Sequence, residues 1–447
     1  MIMEAVSNTR KNLWQLFVPI FFETLFLMLA GMVDTLMLSY VNDNAVGAIG
    51  TSNTYISLFI MMFGIISNGT MAVMTQNIGV KRPGVALQCR RIACVFNLAL
   101  GIIVSIILGV FADPILSFMG ISDALKGYAI SYLRIVGSFV FFNALIPIYS
   151  SYLRAFGHAK LSLAATVIAN LLNIVLNAIF LYALNWGVEG VAAATVASRF
   201  INLGAVMYFS HFLINKKELV EREDRKKLIK QIFYVGLPAA LETAIYNLVM
   251  TLVVSMLNKM DTTGFNVTVR SYAIQIVNFA YCAGAALASA NAIMTGWFIG
   301  SKEFDKCNKQ TRKAAIIGVC IGVGVESIIC AFSPLFMQLI TKDQEMIKIV
   351  TYVLAIDIVL EIGRVTNLVY GQALKTSGDA IFPVIIALVF MFLCAAGGTY
   401  LFGNVLGLNV VGAFIGLALD EICRAVGMLI RWKQGKWKEK SLVKQVI

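Results

Sequence analysis

The sequence predicts an all-α polytopic membrane protein with twelve transmembrane helices in two six-helix bundles. Hydrophobic residues make up 59% of its 447 residues and charged residues only 13%, whereas soluble domains are about 45–50% apolar. Apolar stretches of about 20 to 27 residues recur along the chain, and helices of that length cross the roughly 30 Å hydrocarbon core of a bilayer. Short motifs of the first half recur in the second half, so the two bundles are expected to be copies.

Twelve apolar stretches define the predicted spans, and polar segments separate them. They lie near residues 14–40, 52–76, 92–113, 128–152, 161–184, 189–213, 231–257, 267–298, 311–337, 346–373, 381–404 and 408–432. The stretch at 267–298 is longer than one perpendicular crossing requires, so we expect its helix to be tilted or broken.

Lysine and arginine residues concentrate in alternate loops between these spans. This is the positive-inside pattern with both termini in the cytoplasm, as expected for a multi-pass protein of the cell (inner) membrane. The net charge of +12 therefore reflects topology, and no nucleic-acid partner is expected. In the basic tail after Arg431, Trp432 and Trp437 are expected to anchor the chain at the membrane interface.

The internal repeat is read from short motifs in matching order. PIFFE at Pro19–Glu23 recurs as PAALE at Pro238–Glu242, and LRAFG at 153–157 recurs as LKTSG at 374–378. The predicted parts are an N-terminal bundle at 1–214, a cytoplasmic linker at 215–230, a C-terminal bundle at 231–432 and a basic cytoplasmic tail at 433–447. Because each half has six spans, both have the same topology. A pseudo-twofold axis along the membrane normal is expected, with a substrate site between the halves.

The first candidate site is an acid in predicted span 1. Asp34 has no basic residue within two helical turns, and an acid at membrane depth is functional by default. Span 5 offers Asn170, Asn173 and Asn177 on one face, where amides can hydrogen-bond a carboxylate or coordinate a desolvated cation. We predict an ion-coupling site of Asp34 and these amides, with Asp34 and Asn173 as Na⁺ ligands. The alternative is that the asparagines only hold helices together.

The second candidate site lies in predicted spans 7 and 10. Asp357, Glu361 and Arg364 share one face of span 10, and Glu361 and Arg364 are spaced for an ion pair. We expect Arg364 to neutralise one acid only. Glu242 of span 7, one turn from Tyr246, lies at similar depth. It is therefore expected to approach Asp357 at a cavity, where the two acids bind the coupling cation or a cationic substrate.

Longer segments resemble the multidrug and toxic compound extrusion (MATE) family, within the multidrug/oligosaccharidyl-lipid/polysaccharide flippase superfamily. The resemblance covers nearly the whole chain and rests on VDTLMLSYVNDNAVGAIG, LRAFGHAKLS, NIVLNAIFLYALNWGVEGVAAATVASR and LEIGRVTNLVYGQALKTSGDAIFP. It implies two six-helix bundles around a central cavity. It also implies export of organic cations by alternating access, driven by inward Na⁺ or H⁺ flux.

The resemblance also assigns roles to single residues. Asp34 matches the span 1 acid associated with cation coupling, Asn173 matches an amide of span 5, and Glu242 matches a span 7 acid used in some subgroups. Many relatives have an acid where this chain has Asn177, so a two-acid proton site in the first half is not expected. The span 10 acid of some Na⁺-coupled members aligns near Gly363, which leaves the coupling ion open.

Two other functions compete with antiport. A flippase for lipid-linked oligosaccharides or cell-wall precursors would favour several buried bases for its pyrophosphate cargo, and the spans offer Arg134 and Arg364 by our count. An intramembrane enzyme is disfavoured because the sequence lacks H-E-x-x-H, G-x-S-x-G and P-loop motifs. We therefore expect a monomeric, cofactor-free transporter of small organic cations, and stoichiometric coupling of ion and solute fluxes would distinguish it from a channel.

Overall fold

The computed structural model describes residues 12–39, 43–118, 121–212, 221–261, 263–338 and 340–443. Within these ranges the chain is almost entirely helical and forms no β-strand, which confirms the predicted all-α class. The chain separates into two compact units, with the boundary after Gly236. Part of the predicted linker, residues 215–220, lies outside the described residues.

The first unit contains eight helices in the described residues. They are α1 (Leu13–Ser39), α2 (Asp43–Gly79), α3 (Pro83–Val110), α4 (Ala112–Phe118), α5 (Asp123–Ser138), α6 (Phe141–Ala155), α7 (Ala159–Ala178) and α8 (Gly187–Phe212). The span predicted at 128–152 corresponds to the bent pair α5 and α6, which meet at an angle of 46°. At the bend, Phe139 N–H donates to the carbonyl of Val136, three residues back, so a tighter turn replaces the α-helical pattern.

The second unit contains six α-helices in the described residues, the first of which begins before the boundary. They are α9 (Arg225–Met260), α10 (Phe265–Gly300), α11 (Phe304–Gln338), α12 (Gln344–Ser377), α13 (Ile381–Phe390) and α14 (Asn409–Lys433). Two π-helical segments, Met391–Ala396 and Thr399–Val405, extend α13. The helix α10 covers predicted span 8 and is unbroken over 36 residues.

The spans follow from length and composition. In the described part of the chain, nine helices are long and apolar enough to cross a membrane, and the bent pair α5–α6 makes a tenth. The predicted spans 10 and 12 correspond to α12 and α14, each of which carries two acids and a base in mid-helix. Those charges lower the hydropathy of helices that have the length of a span.

The predicted repeat is also visible in the backbone, in the positions of residues that have a positive φ angle. A positive φ is uncommon outside glycine, and eight of the ten described residues that have it form pairs 221 or 222 positions apart. The pairs are Lys81 and Lys302, Gly157 and Gly378, Asn185 and Gly407, and Gly187 and Asn409. Turns of the same geometry at the same offset confirm that the two halves are copies.

The basic tail folds back on the second unit instead of anchoring at an interface, so that expectation is wrong. Trp437 is only 1% exposed and stacks on Trp432 with 4.2 Å between ring centroids. Its indole N–H donates to the carbonyl of Trp432 at 3.0 Å. Asp379 fixes the tail by accepting hydrogen bonds from Arg431 at 2.6 Å and from Lys440 at 2.8 Å. The end of the tail, 444–447, lies outside the described residues.

Replacing Asp379 with asparagine should lower the free energy of unfolding by about 2 kcal/mol at neutral pH, because two cations lose their acceptor. Burial raises the pKa of Asp379, but the hydrogen bonds from Arg431 and Lys440 outweigh burial and hold this pKa below its usual range. The stabilisation is therefore present above the unfolded-state pKa and is lost as the pH falls through the folded-state pKa. The unfolding temperatures of the parent and of Asp379→Asn should therefore become equal at acidic pH.

The matched control is Glu439→Gln, on the exposed side of the same tail. It should leave the unfolding temperature unchanged at both pH values. An Asp379→Asn variant as stable as the parent at neutral pH would contradict the role of this carboxylate.

Candidate functional site

Asp34 of α1 lies at a cavity of about 40 Å³ in the first unit, with Asn53 and Tyr132 also in its lining. The amide nitrogen of Asn177, on α7, donates to Asp34 Oδ1 at 2.6 Å. The hydroxyl of Tyr132 donates to Asn53 Oδ1 at 3.3 Å on another wall. The cavity therefore gathers a carboxylate, an amide and a phenol from three helices, and Asn177 of a fourth helix bonds the carboxylate.

The three predicted amides of α7 separate in the structure. Asn177 bonds Asp34, whereas Asn170 donates to the backbone carbonyl of Phe26 at 3.1 Å and so ties α7 to α1. Asn173 is buried, but neither it nor Asn170 hydrogen-bonds Asp34 among the described residues. The helix-holding alternative thus describes Asn170, and the Na⁺-ligand role of Asp34 and Asn173 stays a prediction.

The polar atoms beside Asp34 suit a small cation or a proton. Asn177 is fully buried, and its Oδ1 has no hydrogen-bond donor in the described part of the chain. This oxygen and the carboxylate of Asp34 are hard ligands of the kind that alkali and alkaline-earth cations prefer. A proton on Asp34 would meet the same carbonyl acceptor.

Sequence reasoning missed a base near Asp34. Arg199 of α8 lies in the middle of predicted span 6 and acts electrostatically on both Asp34 and Tyr132. The sequence does contain a sign of this base, because an arginine in the middle of a span costs as much free energy to insert as the acids do. Arg134, which was counted, is exposed on α5, so the count of two buried bases was wrong.

A cavity of about 430 Å³ in the second unit collects most of the other predicted residues. Glu242, Tyr246, Asp357 and Arg364 line it. Glu361 does not line the cavity; it lies fully buried and contacts Arg364. The structure therefore brings all five predicted residues to one region of one unit.

Arg364 contacts two acids of its own helix, Asp357 and Glu361, and its single charge balances one of them, as expected. One terminal nitrogen lies 2.8 Å from Glu361 Oε2, and the other lies 3.1 Å from Asp357 Oδ1. The planar guanidinium reaches both because they lie one and two turns before it on the same face. Asp357 is not left over.

Glu242 meets the far end of α12, about five turns beyond Asp357, so the expected approach of Glu242 to Asp357 is wrong. Lys375, at the end of α12, lies 3.0 Å from Glu242 Oε2. The first unit holds an equivalent pair, since Arg154 at the end of α6 lies 2.6 Å from Glu23 Oε1. Both acids and both bases occupy matching positions of the repeated motifs. The pair therefore belongs to the repeat and joins the same two helices in each half.

The cavity of the second unit carries as many bases as acids. Its ionisable lining consists of Glu242, Asp357, Asp420 and Glu421, and of Arg270, Arg364, Lys375 and Arg424. Arg424 pairs with Asp420 at 2.7 Å and with Glu421. Arg270 has no carboxylate partner among the described residues and touches Met250 Sδ at 3.9 Å. The argument for cationic cargo from a shortage of buried bases was therefore wrong.

Such a molecule, with many membrane spans and charged groups buried at cavities within them, is of the class of polytopic membrane transporters. The MatE family profile matches residues 19–179 and 238–401, one stretch in each half. The chain belongs to the MatE family of multidrug and toxic compound extrusion transporters, which confirms the resemblance. This is a family of transporters of small molecules and not of enzymes.

Individual relatives match along the whole chain. The chain is 31% identical over 446 residues to the uncharacterized transporter YisQ of Bacillus subtilis, covering 98% of each protein. It is 23% identical over 456 residues to the probable multidrug resistance protein NorM of Thermotoga maritima, covering 98% of this chain and 96% of NorM. A crystal structure of MATE in the straight conformation has a TM-score of 0.88 at 23% identity, covering 98% of each chain. That likeness shows the fold.

Proposed function

We propose that the protein is a secondary active antiporter that exports small organic cations by alternating access, coupled to inward H⁺ or Na⁺ flux at Asp34. The observation that carries this proposal is the Asp34–Asn177 pair beside a small cavity, in which the amide oxygen of Asn177 has no hydrogen-bond donor among the described residues. The sequence has no P-loop, so the energy comes from an ion gradient. The proposed setting is the inner membrane, with a monomeric chain and both termini in the cytoplasm.

The site at Asp34 suits one monovalent ion per cycle. Asn177 is neutral, so the pair carries a single negative charge that one proton or one Na⁺ cancels. Arg199 acts on Asp34 from α8 and competes with the bound ion for that charge. Ion release is thus favoured when the arginine and the carboxylate approach each other, and ion binding when they separate.

The cationic cargo is supported by aromatic rings as well as acids. Tyr246 and Tyr281 line the cavity of the second unit with their side chains partly exposed, and tyrosine rings attract organic cations through their faces. Asp357 faces the same cavity. An amphipathic cation would contact both rings and would share Asp357 with Arg364.

A flippase for lipid-linked precursors is the second candidate function. Arg270 favours it, because this base lines the cavity without a carboxylate partner among the described residues. A guanidinium in that position suits a phosphate or carboxylate group on the cargo.

The test of coupling is Asp34→Asn in proteoliposomes with separately imposed Na⁺ and pH gradients. Asparagine keeps the shape and removes the charge that binds the ion, so we expect gradient-driven export of a fluorescent cation to fall to the level of empty vesicles. Expression and thermal unfolding should stay near those of the parent. The matched control is Asp305→Asn, an exposed acid at the start of α11, which should transport normally.

The outcomes separate the proposals. Unchanged gradient-driven export by Asp34→Asn contradicts a coupling role for this residue. Export of a fluorescent anion of similar size, without export of the cation, favours the flippase candidate over the antiporter of cations.

A further inference from the structure

One buried acid has no role in either candidate site. Glu326 of α11 is 0% exposed, and neither carboxylate oxygen has a hydrogen-bond donor in the described part of the chain. It lines neither of the two cavities described above. An ionised carboxylate in that position would be desolvated without a compensating hydrogen bond, which costs free energy. The protonation state of Glu326 therefore requires an explanation.

The packing of α11 places Glu326 beside the acids of α12. Gly322 lies one turn before Glu326 on the same face, and a Cβ atom on Gly322 would come within 2.9 Å of Glu361 Oε1. That oxygen of Glu361 is itself buried and without a donor among the described residues. Both oxygens of Glu326 and Oε1 of Glu361 therefore lack a donor among the described residues where α11 packs against α12.

The charged groups that act on Glu326 all come from α12. They are Asp357, Glu361 and Arg364. Arg364 already divides its hydrogen bonds between Asp357 and Glu361. Cys330 of α11 interacts electrostatically with Glu326. Helix α10 approaches Glu361 at Gly284, and the titratable residues of α10 nearest to Gly284 in sequence are Tyr281 and Cys282. From α14, Glu421 acts on Asp357 and Glu361 and adds negative charge.

The charges do not balance if every acid is ionised. Three carboxylates then share one guanidinium, and the nearby Glu421 offers no positive charge because it shares Arg424 with Asp420. A proton on Glu326 removes the charge that has no partner and supplies an O–H donor opposite the unpaired oxygen of Glu361. A multivalent metal is a poorer solution, since no group of three acids, histidines or cysteines among the described residues is arranged to hold one.

We infer that Glu326 and Glu361 form a buried binding site for one proton in the second unit, separate from Asp34. Arg364 connects this site to the cavity, because it lines the cavity and also holds Glu361. A cationic cargo in the cavity repels Arg364 and adds positive charge near the site, so it weakens the hold on the proton. The proton site does not depend on which ion binds at Asp34.

Infrared spectroscopy of the purified full-length protein in lipid nanodiscs tests the site directly. At neutral pH, the difference spectrum between the parent and Glu326→Gln should contain the C=O band of a neutral carboxylic acid. Glutamine has the same shape and no charge, so the variant is expected to fold. The matched control is Glu345→Gln, an exposed acid near the start of α12, whose difference spectrum should contain carboxylate bands only.

A second variant keeps the test valid if Glu326→Gln fails to fold. In Glu361→Gln the proton of Glu326 meets an amide in place of a carboxylate, so its C=O band should shift in frequency without being lost. The inference is overturned if the band of a neutral acid is missing from the Glu326→Gln difference spectrum. It is also overturned if Na⁺, compared with a bulky organic cation at constant pH, converts that band to carboxylate. Neither result bears on transport, so failure here is distinguishable from failure of the proposed antiport.

Discussion

Replacing Arg364 with methionine is expected to lower the yield of folded protein more than any other single substitution in the second unit. The change strands Asp357 and Glu361 inside the membrane without a counter-charge, and breaking one buried pair costs about 3 to 5 kcal/mol. Size-exclusion chromatography of the detergent-extracted protein and its thermal unfolding measure the effect. Arg134→Met is the matched control, because Arg134 is exposed on α5 and makes no ion pair among the described residues.

The rescue of Arg364→Met identifies how many acids the arginine holds. Changing Glu361 to glutamine together with Arg364 should recover only part of the loss, because Asp357 stays unpaired. The triple variant, with Asp357 changed to asparagine as well, should recover most of it. If the double variant were already as well folded as the triple one, the contact of Arg364 with Asp357 would carry no free energy.

Replacing Arg154 with glutamine is expected to destabilise the first unit by about 3 to 5 kcal/mol, because Glu23 is then buried without its cation. The side chain of Glu23 is only 4% exposed, and its other contact is a hydrogen bond from Ser162 at 2.9 Å. In the second unit, Lys375→Gln removes the equivalent pair. Its effect should be smaller, because the side chain of Glu242 is 17% exposed and water can solvate it.

A double-mutant cycle in each unit measures these pairs. The cycles use Glu23→Gln with Arg154→Gln, and Glu242→Gln with Lys375→Gln, and follow the free energy of unfolding. Removing both partners should be milder than removing the base alone, since no charge is then stranded. Equal losses for Arg154→Gln and its double variant would show that the arginine acts through packing and not through Glu23.

The sequence predicted contacts within a single helix and the residues that recur in both halves. An arginine three residues after a glutamate on one helix predicts the Glu361–Arg364 pair, because helical spacing alone brings them together. The repeated motifs placed Glu23 with Glu242 and Arg154 with Lys375, although the ion pairs between them were not recognised. An acid without local partners pointed to α7, where Asn177 indeed meets Asp34.

What the sequence by itself determined is therefore the all-helical membrane class and the two copies, because hydropathy and helical period are local properties. Only the tertiary structure decided which charges meet. Lys375 reaches Glu242 across 133 positions, and Glu326 is left without a donor among the described residues although three charged groups of α12 act on it. Trp437 is buried because Asp379 holds the tail against the bundle. Such contacts depend on how helices pack, and packing is set by the summed shape of many side chains that no single motif records.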